Sequence, residues 1–369
     1  MKVANKKKIT VGLIFLLAFV AVGCSNGTDG KETSKKDSTT NTIKEPYSDT
    51  QFLMGTVVKV SIYNEGKEAV LEKAFDRIKE LAAKITVNEK GSEIDAINDN
   101  AGVKPVEVTD DMYYLLKEAQ HYSKTSEGGF DMAIGAVTDL WRIGFPDARK
   151  PSQAEIDAVL PLVDYHKVIF DDEKQTVYLS EKGMQLDLGA IAKGYITDEV
   201  AIVLKDNDVD TAIIDLGGNI FVMGTSPRRE GADWNVGIQD PNQTRGTTIG
   251  SIPESNRSIV TSGIYERFYE DPDTGIKYDH LMNGKTGYPF DNDIAGVTIV
   301  SDKSIAGDGL STAVFSKGVK GGLEFIDDID GVEAIFVTKE NKVYISKGLK
   351  DTFKLTSKDY ILEKNETLK

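Results

Sequence analysis

Segments with helical and strand-like apolar spacing follow one another in this chain without a regular alternation, and that order restricts the fold more than any other feature. Residues 67–85 and 110–125 place apolar side chains at helical spacing, and Thr109 is suited to cap the second helix. Residues 52–63 alternate as a strand, and residues 167–179 have the pattern of a β-hairpin. Because no regular strand-helix-strand repeat is present, the sequence predicts an α+β or irregular α/β fold, with a mainly antiparallel sheet and flanking helices.

The N-terminal 23 residues have the order of a secretory signal peptide. Lysines precede an apolar run over residues 11–22, which is too short to span a membrane comfortably. Cys24 follows directly, at the position where a bacterial lipoprotein carries its lipid, and it is the only cysteine of the chain. We expect a signal peptide over residues 1–23, lipidation at Cys24 and a mature chain anchored on the extracytoplasmic face of the cell membrane. The alternative is a cleaved signal with an incidental cysteine.

The composition indicates where the folded domain begins and which classes of ligand the chain can bind. Residues 24–46 consist largely of Ser, Thr, Lys, Asp, Asn and Gly and predict a flexible tether, which leaves residues 47–369 for the folded domain. The net charge is −15, and it becomes more negative when the lysine-bearing signal is removed. Such a surface repels nucleic acid and anionic lipids, so an anionic substrate needs a local cation. One cysteine and three histidines disfavour zinc, whereas Mg²⁺ with oxygen ligands fits better.

Four polar segments spaced by glycines are the candidates for a ligand site: residues 187–194, 215–219, 280–287 and 307–312. Glycines let a backbone come close to a ligand, and the charged and hydroxyl side chains between them suit a site for phosphate and metal.

Asp308 and Thr312 are four residues apart, so they share one face of a helix predicted over residues 305–316. We expect them in its first turn, beside free backbone N–H groups, where they would hold one Mg²⁺ together with a carbonyl from residues 188–190. An aspartate that only caps the helix is the alternative.

Lys193 follows a glycine turn that opens another predicted helix, over residues 189–205. The lysine and the helix N-terminus would both face an anion such as a pyrophosphate, although a surface lysine after a tight turn is the alternative. His280 lies in a polar, glycine-rich segment and is a candidate general base or phosphate contact. Trp141 and Tyr265 are interpreted as packing residues.

Eight motifs occur in a characteristic order: Met54-Gly-Thr56, Ser92-Glu-Ile94 followed by Ile97-Asn98, Phe130-Asp131, Asp187 to Gly194, Asp215 to Gly218, Thr261-Ser-Gly263, His280 with Thr286-Gly287, and Asp308 to Thr312. In this order and spacing they resemble the FAD:protein FMN transferases, the ApbE-type lipoproteins. The resemblance covers residues 52–337, nearly all of the predicted domain.

The resemblance implies an ApbE-like fold and protein flavinylation. The enzyme would bind FAD, use Mg²⁺ to polarise the pyrophosphate, and transfer FMN to a threonine hydroxyl of a separate secreted or membrane-bound acceptor protein, releasing AMP. Carried over position by position, it implies metal ligation by Ala190, Asp308 and Thr312 with Ser311 beside them, FAD contacts by Met54, Asn88, Gly129, Phe130, Asp131, Asp187, Lys193 and Met282, and catalytic roles for Asp308 and for His280, which would assist the acceptor hydroxyl.

The motif that begins at His280 departs from the family pattern. Residues 280–287 read His-Leu-Met-Asn-Gly-Lys-Thr-Gly, where the family usually has His-x-x-Asp-Pro-Arg-Thr-Gly. The change concerns the flavin contacts and leaves the implied metal ligands in place. Two other functions stay open: hydrolysis of FAD to FMN and AMP at the same metal site, and non-catalytic binding of FAD by a carrier lipoprotein.

Overall fold

A nine-stranded sheet is the centre of the computed structural model, which describes residues 41–87, 90–229 and 231–368. In chain order, the strands are β1 (Thr42–Leu53), β2 (Thr56–Asn64), β3 (Val106–Glu107), β4 (Val168–Asp171), β5 (Thr176–Leu179), β6 (Ala212–Leu216), β7 (Asn219–Met223), β8 (Trp234–Gln239), β9 (Thr248–Glu254), β10 (Arg257–Gly263), β11 (Phe268–Glu270), β12 (Lys277–Asp279), β13 (Met282–Asn283), β14 (Tyr288–Pro289), β15 (Ile294–Ser301), β16 (Glu333–Thr338), β17 (Lys342–Ile345), β18 (Lys354–Leu355) and β19 (Ile361–Leu362). The helices are α1 (Val70–Ile85), α2 (Glu93–Asp99), α3 (Asp110–Thr125), α4 (Gly135–Trp141), α5 (Gln153–Val159), α6 (Ala192–Asp206), α7 (Ser304–Phe315) and α8 (Gly318–Asp327).

The large sheet has the strand order β1-β2-β6-β7-β10-β15-β16-β17-β19. Each neighbouring pair is antiparallel except β17 with β19. The prediction of a mainly antiparallel sheet with flanking helices is therefore confirmed. Smaller sheets with the orders β18-β9-β8 and β3-β5-β4 and the hairpins β11-β12 and β13-β14 accompany it in the described part of the chain.

Different layers cover the two faces of the large sheet. Successive side chains of a strand point to opposite faces, so Ile299 of β15 packs into the core formed with the helices, whereas Val300 packs with Trp234 and Val236 of the small β8-β9 sheet. Every residue of β15 is buried, as expected for a strand covered on both faces. The helical layer holds α6 and α7 side by side, and their N-terminal turns meet at Gly194 and Ser304.

Most locally predicted elements occur where their patterns indicated. The predicted helices over residues 67–85 and 110–125 are α1 and α3, and the predicted hairpin is β4 with β5. The predicted strand over residues 52–63 is wrong in one respect, because a turn at Met54 and Gly55 divides it between β1 and β2. Both residues have positive φ, at 53° and 69°.

The folded domain begins earlier than predicted. β1 starts at Thr42, inside the predicted tether over residues 24–46, and pairs with β2 as far as Leu53 opposite Thr56. A polar sequence is compatible with this strand because β1 is at the sheet edge, where the backbone forms the ladder and side chains can face solvent. The predicted signal peptide, Cys24 and the rest of the predicted tether lie outside the described residues. Among the helices of the described residues, none is long and apolar enough to cross a membrane.

Candidate active site

The segment before α6 is a tight turn held by Asp187. Its Oδ1 accepts a hydrogen bond from the Gly189 N–H at 2.8 Å, and its Oδ2 accepts one from Thr138 Oγ1 at 2.7 Å. Gly189 and Ala190 are exposed, and α6 begins two residues after Ala190. Lys193 therefore lies in the first turn of α6, where backbone N–H groups have no partner within the helix.

Asp308 lies in the second turn of α7, not in the first turn as predicted, because α7 already begins at Ser304. The free N–H groups beside it belong to α6 instead. Gly194 donates its backbone N–H to Asp308 Oδ2 at 2.6 Å, and Asn219 Nδ2 donates to Oδ1 at 3.1 Å. The Asp308 side chain thus places a buried carboxyl group at the N-terminus of α6, where it contacts Gly194, the residue after Lys193.

Electrostatics connect three of the predicted site residues. Burial raises the pKa of Asp308, and the positive charge of Lys193 opposes that rise. Burial, together with the charges of Arg267 and Lys193, lowers the pKa of His280 to about 4. The charge of Lys193 therefore acts on the pKa of both Asp308 and His280, which links the three residues electrostatically. At neutral pH the His280 ring is uncharged.

The orientation of His280 suits proton acceptance. Its Nδ1 lies 3.2 Å from the carbonyl oxygen of Arg267, which also accepts the backbone N–H of His280 at 3.2 Å. When Nδ1 carries the ring proton it donates to this carbonyl, and Nε2 is left free to accept a proton. This is the tautomer that a general base requires.

Two oxygens linked to Asp308, one through Gly194 and one four residues along α7, have no hydrogen-bond partner among the described residues. The Ala190 carbonyl would be the helical partner of the Gly194 N–H, but that N–H bonds to Asp308 instead. Among the described residues, the Ala190 carbonyl accepts no backbone hydrogen bond. The Thr312 hydroxyl likewise has no hydrogen-bond partner in the described part of the chain, whereas Ser311 Oγ is engaged by Ser262 Oγ at 2.9 Å and by the Asp308 carbonyl at 2.8 Å.

One carboxylate, one hydroxyl and one carbonyl are hard oxygen ligands of the kind that Mg²⁺ takes when substrate phosphates and water complete its shell. A buried carboxylate with a raised pKa also gains from a cation beside it. No group of three or more His, Cys, Asp or Glu side chains with metal-binding geometry occurs among the described residues. The donors present therefore fit a cation shared with a phosphorylated substrate rather than one enclosed by protein side chains alone.

The segment over residues 129–131 is held mainly by internal contacts. The side chain of Phe130 is buried in the core, and its backbone N–H donates to Ser126 Oγ at 2.9 Å. Asp131 accepts the backbone N–H groups of Ala133 at 2.8 Å and Tyr165 at 3.2 Å, and burial raises its pKa to about 6. Any contact of Phe130 with a ligand would therefore have to come from its backbone. Gly129 lies where an added Cβ would come within 2.1 Å of Ser316 Oγ.

Other predicted flavin contacts lie in different surroundings. Met282 is buried in a small apolar cluster with Trp141, whose Nε1 donates to the Gly287 carbonyl at 2.8 Å. This confirms Trp141 as a packing residue. Met54 is at the turn between β1 and β2, where a Cβ added to Gly55 would lie 3.6 Å from a guanidinium nitrogen of Arg267. Asn88 lies outside the described residues.

A family model described as the ApbE family matches residues 54–336 of this chain. The chain belongs to the ApbE family. A curated relative from Klebsiella pneumoniae, an FAD:protein FMN transferase, is 37% identical over 81% of this chain and 92% of its own length. One of the same name from Treponema pallidum is 33% identical over 86% of this chain and 91% of its own length.

Solved structures give the same grouping. The ApbE protein of Thermotoga maritima superposes with a TM-score of 0.76 at 28% identity, covering 84% of this chain and 99% of that one. The flavin transferase ApbE of Vibrio cholerae, at 23% identity, has a TM-score of 0.73 over 84% of this chain and 99% of its own, which supports the fold. This chain therefore has the ApbE-like fold.

Sequence reasoning missed two contributors to this ApbE-family site. Asn219 was inside a recognised glycine segment, yet its contact with Asp308 depends on β7 lying beneath α7. Arg267 follows Tyr265 and Glu266 in a segment without clear periodicity, so no local signal indicated that its carbonyl would hold His280.

The phenol oxygen of Tyr265 is buried and has no hydrogen-bond partner among the described residues.

Proposed function

We propose that this chain is an FAD:protein FMN transferase that requires Mg²⁺ and modifies a threonine hydroxyl of another protein, releasing AMP. Its relatives from Klebsiella pneumoniae and Treponema pallidum are named FAD:protein FMN transferase, and they align over most of both chains. The observation that carries the proposal is that Lys193, in the first turn of α6, acts through its charge on both Asp308, which caps that helix, and His280.

Different residues of the site would bind the pyrophosphate and the cation in a phosphoryl transfer. Lys193 and the positive end of the α6 helix dipole would receive the pyrophosphate of FAD. Asp308, Thr312 and the Ala190 carbonyl would hold the cation, which when bound neutralises charge on the pyrophosphate oxygens. Such a reaction depends mostly on positioning and charge neutralisation, and this arrangement supplies both.

His280 would take the proton from the acceptor threonine. The threonine oxygen bonds to the phosphorus on the FMN side of the pyrophosphate. The bond from that phosphorus to the bridging oxygen then breaks. AMP leaves with the bridging oxygen, and the acceptor carries FMN as a phosphoester. The uncharged ring of His280 and its free Nε2 suit this role at neutral pH.

We also propose that the chain is anchored at the cell membrane. The signal-like residues 1–23 and Cys24 support a lipid anchor on the extracytoplasmic face of the cell membrane. The acceptor would then be a secreted or membrane-bound protein that reaches the same face. Labelling cells with a clickable fatty acid should mark the wild-type chain and not Cys24→Ala.

Intact-mass spectrometry tests the transfer directly. The chain from residue 41 onward is incubated with FAD, Mg²⁺ and a threonine-bearing acceptor domain, with EDTA as the metal control. A metal-dependent gain of one FMN unit on the acceptor is expected, with one AMP released per modified acceptor. Release of FMN and AMP in equal amounts, with acceptors of several sequences unmodified, would indicate a hydrolase. Intact FAD throughout would indicate a carrier.

A further inference from the structure

Helices α6 and α7 cap each other through two carboxylates. Asp198 of α6 accepts the first two N–H groups of α7, from Ser304 to Oδ1 at 2.7 Å and from Ile305 to Oδ2 at 3.0 Å. In the other direction, Asp308 of α7 accepts the N–H of Gly194 in the first turn of α6 at 2.6 Å. Each helix therefore satisfies free N–H groups of the other.

The two caps belong to one closed set of hydrogen bonds. Ser304 donates its hydroxyl to Asn219 Oδ1, and Asn219 Nδ2 donates to Asp308 Oδ1 at 3.1 Å. Asp198 and Gly194 are one helical turn apart on α6, as are Asp308 and Ser304 on α7. The ring runs from Asp198 through Ser304, Asn219, Asp308 and Gly194 and back along one turn of α6.

Packing makes this ring stiff. A Cβ on Gly194 would lie 2.4 Å from the Ser304 carbonyl oxygen, so the two helix starts are in direct backbone contact. Ser304 is fully buried, and its hydroxyl also accepts from Ser258 Oγ at 2.9 Å. A shift of α7 relative to α6 would have to break several buried hydrogen bonds together.

We infer that Asp198 is a positioning residue for the transfer reaction, which holds α7 in the register that keeps Asp308 at the start of α6. The inference rests on the proposed function. Asp198 hydrogen-bonds backbone N–H groups and no predicted ligand of the site, so its hydrogen bonds act on Asp308 through Ser304 and Asn219. Burial raises the pKa of Asp198, and the charge of Asp308 also raises it. Loss of such an outer partner typically lowers activity or metal affinity about 10- to 100-fold.

The test is Asp198→Asn in the full chain. An amide can accept at one atom only, so one N–H of α7 loses its acceptor while the side-chain size is kept. We expect kcat for FMN transfer to fall about 10- to 100-fold, while the KM for FAD stays within about threefold because the variant leaves Lys193 in place. Asp171→Asn is the control for the loss of a carboxylate charge alone, since Asp171 Oδ1 accepts two backbone N–H groups, at 3.1 Å each, in the β4-β5 hairpin, and an amide oxygen can keep both.

Hydrogen exchange at the Gly194 amide gives a readout that needs neither FAD nor metal. This N–H is protected by Asp308, so Asp198→Asn should speed its exchange at least about tenfold relative to amides that report global unfolding, and Asp171→Asn should not. If kcat and Gly194 exchange both match the control while the melting temperature falls, Asp198 is only a helix cap and the inference is wrong.

Equal loss of FAD affinity and kcat would also overturn the inference, because Asp198 would then act on the flavin site. If Asp198→Asn does not fold, Ser304→Ala breaks the ring at the Asn219 bond, keeps the backbone N–H for Asp198, and should change kcat and Gly194 exchange in the same direction. A wild-type chain that transfers no FMN would refute the proposed function, while the exchange data would still decide whether Asp198 positions Asp308.

Discussion

Gly194 lies against the backbone of Ser304, and a Cβ built on it would be 2.4 Å from the Ser304 carbonyl oxygen and 2.7 Å from the Cα of Ile305. Both obstacles are backbone atoms, so no side-chain rotation can relieve the contact. The start of α6 and the start of α7 approach this closely only because residue 194 has no side chain.

Gly194→Ala should therefore destabilise the protein by about 3 kcal/mol, near the upper end for overpacking of a well-packed interior. Urea unfolding of the variant and the wild type measures the difference. Gly321→Ala, within α8, is the control, because its added Cβ would meet only Lys317 Cβ at 3.3 Å. We expect its free energy of unfolding within about 1 kcal/mol of wild type, since alanine has the better helix propensity. Equal destabilisation by both would contradict the close contact.

His280 should titrate with a midpoint near pH 4 in the folded protein, because burial and the charges of Arg267 and Lys193 disfavour the protonated ring. An unperturbed histidine titrates near 6.5. Between about pH 4 and 6.5 the unfolded chain binds more protons than the folded one, so this residue's contribution to the free energy of unfolding increases with pH. It is fully present above about 6.5 and absent below about 4.

Imidazole ¹⁵N chemical shifts across this range give the midpoint directly. The free energy of unfolding of wild type minus that of His280→Gln should rise as the pH is raised through the same window. A midpoint of 6 or higher would show that the ring is not desolvated, and the role of an uncharged base would lose its support.

Lys193→Ala should weaken FAD binding about 10- to 100-fold, the loss expected for one charge-assisted contact to phosphate. It should also raise the pKa of His280, since the charge of Lys193 holds that pKa down. Flavin fluorescence titration measures the affinity, and the ¹⁵N titration measures the pKa. Lys205→Ala, an exposed change on the same helix, serves as the control. Unchanged FAD affinity and turnover in Lys193→Ala would remove the pyrophosphate assignment.

Asp308→Asn should lower kcat at least about 100-fold, because it removes the buried charge expected to hold the cation at the reacting phosphate. FAD affinity should change only a few-fold, which distinguishes a catalytic loss from a binding loss. Stopped assays of FMN transfer at several Mg²⁺ concentrations measure both. Asp302→Asn, whose side chain is 80% exposed, should retain wild-type activity. Full Mg²⁺-dependent activity in Asp308→Asn would refute the metal assignment.

The sequence by itself determined the local elements and the group of segments that carry the site. Helical periodicity located α1 and α3, and the strand and turn signals located the β4-β5 hairpin. The ordered glycine motifs indicated the ApbE-type fold and the FAD:protein FMN transferase resemblance. These features depend on residues close together in the chain or on short motifs, so they can be read without knowledge of the packing.

Only the tertiary structure decided which helix start faces Asp308. The aspartate was expected beside N–H groups of its own helix, yet it caps α6, because α7 begins at Ser304 and packs across the start of α6 at Gly194. The contacts of His280 with Arg267 and of Asp198 with Ser304 likewise join residues that are distant in sequence. Such contacts depend on how whole elements pack in three dimensions, which local spacing does not encode.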